Sequence, residues 1–98
     1  MGDVSSGCTI VEAAPNAGRK VIVVETANTV DTADTVALTL SSYGITTVLA
    51  VEGYVHTTEN SVIVAEAPTT AVSAGVLTIT VGGSTVSNKK RVYVVYGK

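Results

Sequence analysis

Tryptophan and phenylalanine are absent from this 98-residue chain, and its only aromatic residues are four tyrosines. A core made without large rings must be filled by Val, Leu, Ile and Ala with help from tyrosine. The single cysteine, Cys8, rules out an intrachain disulfide, so the chain is not a disulfide-stapled secreted scaffold. One histidine, His56, and one cysteine are too few to build a zinc site of the usual type from one chain. Charged residues make up 14% of the sequence, below the usual quarter or so. The net charge of −2 and the pI near 5.1 lack the basic field that a phosphate backbone requires, so no nucleic acid is expected as a partner. No apolar run approaches the roughly 18 residues needed to cross a bilayer, and no membrane partner is expected. The first residues, MGDVSSG, have no basic n-region and no apolar h-region, so synthesis in the cytoplasm without a signal peptide is expected.

What is present is β-branched. Val, Ile and Thr number 19, 5 and 15, together 39 of 98 residues. Such side chains are stiff at χ1, make mediocre helices and pack well on a pleated surface. An all-β chain follows, with one domain and one modest core for its surface. Few charges beside many apolar residues suggest that part of the surface is covered by a partner or by another copy.

Residues 1–19 are expected to be an N-terminal arm or tail with one possible short strand at Cys8–Ala13, and residues 20–98 a single β domain. Lys20–Glu25 (KVIVVE) reads as a strand whose continuous apolar run implies burial on both faces. Thr26–Asp34 is a polar loop or edge. Thr35–Leu40 alternates with period 2, and Ser41–Gly44 is a tight connection in which Gly44 is free to take a positive φ. Ile45–His56 is the longest strand, with Gly53 marking a bulge or a close backbone approach. A polar turn at Thr57–Ser61 leads to a returning strand, Ser61–Glu66, which Pro68 stops. Thr69–Ala74 reads as a small-residue linker, Gly75–Val81 as a strand, Gly82-Gly83 as a turn, Ser84–Lys90 as a polar excursion and Arg91–Tyr96 as the last strand. Six or seven short strands at this spacing give a small antiparallel β-sandwich or barrel, and the pattern leaves both open.

The stretch Ile45–Pro68 holds the only histidine and is the natural place to look for chemistry. Glu52 and His56 share a strand face but lie about 13 Å apart at ~3.3 Å per residue. A partner for His56 has to come from a neighbour, Glu59 or Glu66 across the hairpin being the candidates. General acid–base work needs a second positioned group, so a structural or solvated histidine is the expected reading. No G-x-S-x-G elbow is present, and Cys8 has no basic neighbour to stabilise a thiolate. Asp31 and Asp34 resemble part of an oxygen-ligand loop without its alternation or terminal Glu, so solvated carboxylates are expected there. Gly82-Gly83-Ser84-Thr85 lacks the lysine and spacing of a phosphate loop and reads as a hairpin turn. The basic run Lys89–Arg91 reads as a solvated gatekeeper before an apolar strand. No catalytic, cofactor-binding or metal-binding residue is assigned, and no enzyme is expected.

The segments TVDTADTVALTLSSYGITTVLAVEGYVHTTENSVIVAEAP and GVLTITVGGSTVSNKKRVYVVYG resemble small all-β head-decoration and structural proteins of tailed viruses. The shared features are the Asp/Thr-rich Thr29–Thr35, Ser41–Ile45 before the long strand, the Tyr54–Ser61 turn region, and the Tyr-rich last strand ending at Gly97 and a basic residue. They cover about two-thirds of the chain. The resemblance implies a non-enzymatic virion protein, often trimeric, that binds a major capsid protein on the outside of an icosahedral head. It also implies an N-terminal arm, here Met1–Val11, that adds a strand to a neighbour. The alternative reading is a small carbohydrate-type binding module stacking its ligand on Tyr43, Tyr54, Tyr93 or Tyr96.

Overall fold

The computed structural model describes residues 2–16, 19–82 and 88–98, leaving out the side chains of 13–16 and 19. Within them lie eight strands: β1 (Thr9–Asn16), β2 (Arg19–Glu25), β3 (Thr35–Thr39), β4 (Val48–Thr58), β5 (Val62–Ala65), β6 (Thr69–Ser73), β7 (Val76–Thr80) and β8 (Arg91–Gly97). They pair antiparallel throughout, in a five-stranded sheet ordered β1-β2-β8-β4-β5 and a three-stranded sheet ordered β3-β7-β6. Two separate sheets with the apolar core between them make the fold a sandwich rather than a barrel.

Period-2 alternation fixes which side chains enter that core. The larger sheet contributes Ile22 and Val24 from β2 and Tyr93 and Val95 from β8, and the smaller contributes Val36, Leu38, Leu77 and Ile79. Val30, Leu40, Ile45 and Val81, from the connections, close its ends. Each fully buried aliphatic side chain contributes about 1.5–3 kcal/mol relative to exposure. Gly53 is the close approach that its mid-strand position predicts. A Cβ there would collide with the Glu66 carbonyl and lie 2.9 Å from both Pro68 and the Tyr93 ring. The connection before Gly44 is a 3-10 turn, Leu40–Tyr43, closed by Gly44 at φ +69°.

The strands number eight where six or seven were expected, and three further features differ from the sequence expectation. Thr69–Ser73 is an edge strand, not a linker: it pairs residue for residue with β7 across a two-residue turn, Ala74-Gly75. Its own five residues are all exposed, so no alternation of burial marks it. β4 runs on to Thr58, past a register shift at His56/Thr58, so the turn before β5 is shorter than Thr57–Ser61. The amino-terminal residues lie on their own domain. Asp3 forms a parallel bridge with Thr35, the Val4 N–H donates to the Thr35 carbonyl at 2.8 Å, and the Thr35 N–H donates to Gly2 at 2.7 Å. β1 then joins the larger sheet beside β2. The glycine turn Gly82-Gly83-Ser84-Thr85 lies, past Gly82, outside the described residues, as does most of Ser84–Lys90.

Candidate functional site

The densest polar cluster sits at the end of the sandwich where β8 begins. Positions 91, 93, 95 and 97 form the inward row of β8, so Arg91 enters the interior by parity alone. It is 0% exposed. The solvated gatekeeper expected at Lys89–Arg91 is therefore corrected at its last residue. Glu66, also buried, meets it side-on: Nε donates to Oε1 at 3.1 Å and Nη2 to Oε2 at 3.5 Å. Nη1 donates to the carbonyls of Val30 and Lys89, and the Arg91 N–H donates to Thr26 Oγ1 at 2.8 Å. This fork-on-carboxylate geometry gives a buried ion pair the extra hydrogen bonds it needs to offset desolvation.

Outside that pair lies a second, wetter layer. Lys90 Nζ contacts Glu25 at 2.8 Å and Glu59 at 3.7 Å, and donates to Asn60 at 3.3 Å. Its ammonium holds the Glu25 carboxyl below the ordinary carboxylate value, and Glu25 in turn raises Lys90. His56 is buried, and its Nδ1 accepts the Asn60 N–H at 3.0 Å, which pins the β4–β5 turn. Glu59 instead accepts from Asn28 at 3.0 Å, and Glu66 is engaged by Arg91. His56 and its two acidic candidates thus sit at one end of the molecule but in separate bonded pairs, an arrangement suited to fastening loops.

The other candidates are likewise held by local bonds. Asp34 Oδ2 accepts the Asp31 N–H at 2.8 Å and Oδ1 accepts the Gly2 N–H at 3.0 Å, while Asp31 Oδ1 accepts from Asn88 at 2.8 Å. These backbone donors, Asp31 first, hold the Asp34 carboxyl below its usual value. Among the described residues no group of three His, Cys, Asp or Glu side chains is placed to hold a metal ion. Cys8 is half-buried, its Sγ 3.4 Å from the Val4 carbonyl, and burial pushes the thiol up. Tyr93 is fully buried, and its hydroxyl has no hydrogen-bond partner among the described residues. Burial, then the Glu66 charge, raises its ionisation well above the tyrosine range. Tyr43 packs against the core.

On the outer face of the larger sheet the two-sided burial expected of Lys20–Glu25 is corrected: Ile22 and Val24 are buried, but Val21 and Val23 on the outer side are only half-buried. An exposed antiparallel face normally alternates to polar. Here the register aligns Val11, Val23 and Val94 in one row across β1, β2 and β8. The rows on either side add Val92 with Tyr54, and Val21 with Tyr96 and Ala50. Glu52 borders the patch and accepts from the Tyr96 hydroxyl at 2.9 Å. A shallow cleft of about 260 Å³ opens beside it, lined by Val51, Glu52, Gly53, Tyr54, Ala65 and Ala67. The signal was legible in KVIVVE and RVYVVY, whose apolar runs demand cover on both faces while the fold supplies it on one. Comparison with protein-family models, with curated proteins and with solved structures returned no match.

Proposed function

We propose that the chain is a non-enzymatic structural protein that lies on the outside of a viral head, associates with copies of itself and stabilises the lattice of the major capsid protein beneath. The observation that carries this reading is the apolar outer face of the larger sheet. Contiguous apolar area of this kind marks a protein interaction surface. The polar groups at its border, Glu52 with Tyr96 and Glu25 with Lys90, already have partners within the chain, which lowers the penalty of drying the face. The resemblance to head-decoration proteins supplies the kind of lattice. Co-sedimentation with assembled heads of the parent virus tests it. The wild-type chain is expected to saturate a fixed number of sites, and Val23→Glu and Val94→Glu to bind at least about tenfold more weakly, a loss of about 1.4 kcal/mol or more. Wild-type protein that stays in the supernatant rejects the proposal.

One observation favours a second reading, a carbohydrate-type module: Tyr54 and Glu52 line the cleft and Tyr96 stands beside them. Aromatic platforms with a nearby hydrogen-bonding group suit a sugar ring. A glycan array decides it, with binding that Tyr54→Ala removes as the supporting result and no hits as the opposing one.

A further inference from the structure

A two-sheet sandwich has four edge strands, and each bare edge invites pairing with another chain unless it is protected. Two of the four are protected here. β3 is covered by residues 2–5, including a bond from the Ala37 N–H to Ser5 Oγ at 2.8 Å. β1 carries the charge of Glu12 and the proline Pro15. β6 carries no charge, proline or cover and exposes Val72 at 54%, but most of its edge is the polar Thr69, Thr70 and Ser73. β5 has no such device: Val62, Ile63, Val64 and Ala65 are all exposed, with Ile63 at 52%.

The register also sets which backbone groups face outward. The His56 N–H donates to Lys90 on the β8 side, so its directly opposed residue, Ile63, turns its own N–H and carbonyl away from β4. Ala65, two residues on, does the same. We propose that β5 is a contact between copies of this chain, pairing antiparallel with β5 of a second copy about a two-fold axis through Ile63. Ile63 then exchanges both backbone bonds with its mate, and Val62 faces Val64 of the other copy. Ile63–Ile63 and Val62–Val64 are apolar pairs, Ala65 meets Ser61, no like charges meet, and both outer faces lie on one side of a continuous ten-stranded sheet. A ring of three requires β5 to meet a different edge, β1, β3 or β6, whose charge, cover or hydroxyls match its apolar side chains less well.

The four residues of β5 span about 14 Å, and on a molecule whose shortest extent is 20 Å the contact is on the order of 280 Å² per copy, against roughly 800 Å² in a standard interface. Association is therefore concentration-dependent rather than obligate, and strengthens where copies are held side by side.

This inference rests on the self-association part of the function proposed above, and sedimentation of the intact chain from about 1 μM to about 1 mM separates the two. Wild-type protein is expected to pass from monomer to dimer across that range, with the Ile63 and Ala65 amides slowing in hydrogen exchange as concentration rises. Ile63→Lys is expected to raise the dissociation constant at least about tenfold, whereas Val72→Lys, equally exposed on the β6 edge of the smaller sheet, leaves it unchanged. Assembly that survives Ile63→Lys, or that has the mass of three copies, overturns the β5 contact and leaves self-association standing. A wild-type chain that stays monomeric throughout overturns both, while head binding is read by its own assay.

Discussion

Arg91 and Glu66 form a pair that is costly to break and of little net worth to keep. Removing one partner leaves an uncompensated buried charge, so Glu66→Ala is expected to lower the unfolding free energy by about 3–5 kcal/mol in urea titrations. The double variant Glu66→Leu, Arg91→Met replaces the pair by apolar volume and is expected to recover most of that loss. If the double variant is as unstable as the single one, the hydrogen bonds from Nη1 to the Val30 and Lys89 carbonyls, and not the stranded charge, account for it. Tyr93 points the other way. Its hydroxyl is buried without a partner among the described residues, so Tyr93→Phe is expected to be neutral or to stabilise by about 1 kcal/mol. Of these residues the sequence marked none correctly. A basic run before an apolar strand looks like solvated surface, and only the inward parity of 91, 93 and 95 betrays the burial. Glu66, just before Pro68, carries no local mark of its partner 25 residues away.

The edge strands and turns carry a second set of expectations. Ala74 opens the two-residue β6–β7 turn at φ +52°, followed by Gly75 at φ +78°. A left-handed conformation is disfavoured by about 1–2 kcal/mol for a residue with a Cβ, and asparagine tolerates it better than alanine. Ala74→Asn is expected to raise the melting temperature, with a gain of about 0.5–1 kcal/mol. Asp34 ties the 31–34 turn to the amino-terminal segment. Its folded value lies below its unfolded one, so the stability it contributes is present above about pH 4 and is lost as pH falls through the folded value. Thermal melts between about pH 5 and pH 2 are expected to show a steeper acid loss for the wild type than for Asp34→Asn, which gives up that contribution in advance. The longest strand and its glycine were readable because alternation and turn residues agree there, though the strand runs Val48–Thr58 rather than Ile45–His56. β6 was not, because an exposed edge of Thr, Ala, Val and Ser has no buried face to produce alternation. The outer valine face and the bare β5 edge were visible as letters but not as surfaces, since which strands neighbour one another is set by long-range pairing.

On the scale of the whole molecule, the larger sheet is assembled from strands remote in sequence: β8 lies between β2 and β4, pairing with both. Loops that must close before contacts reward them slow folding, and sandwiches of this kind fold in milliseconds to seconds. Stopped-flow refolding followed by tyrosine emission, Tyr93 being the buried reporter, is expected to fall in that range. A microsecond relaxation would contradict the pairing order. The same placement bears on how the protein is made. β2 and β4 leave the ribosome with a gap one strand wide between them, and the residues that fill it, including the cation for Glu66, come more than thirty positions after β4 ends. Until they emerge, a nascent chain holds two apolar strands with one bare edge each, β2 paired only with β1 and β4 only with β5, and a carboxylate without its guanidinium. Stalled or truncated chains lacking β8 are thus expected to be substrates for chaperones and proteases rather than weakened versions of the native protein.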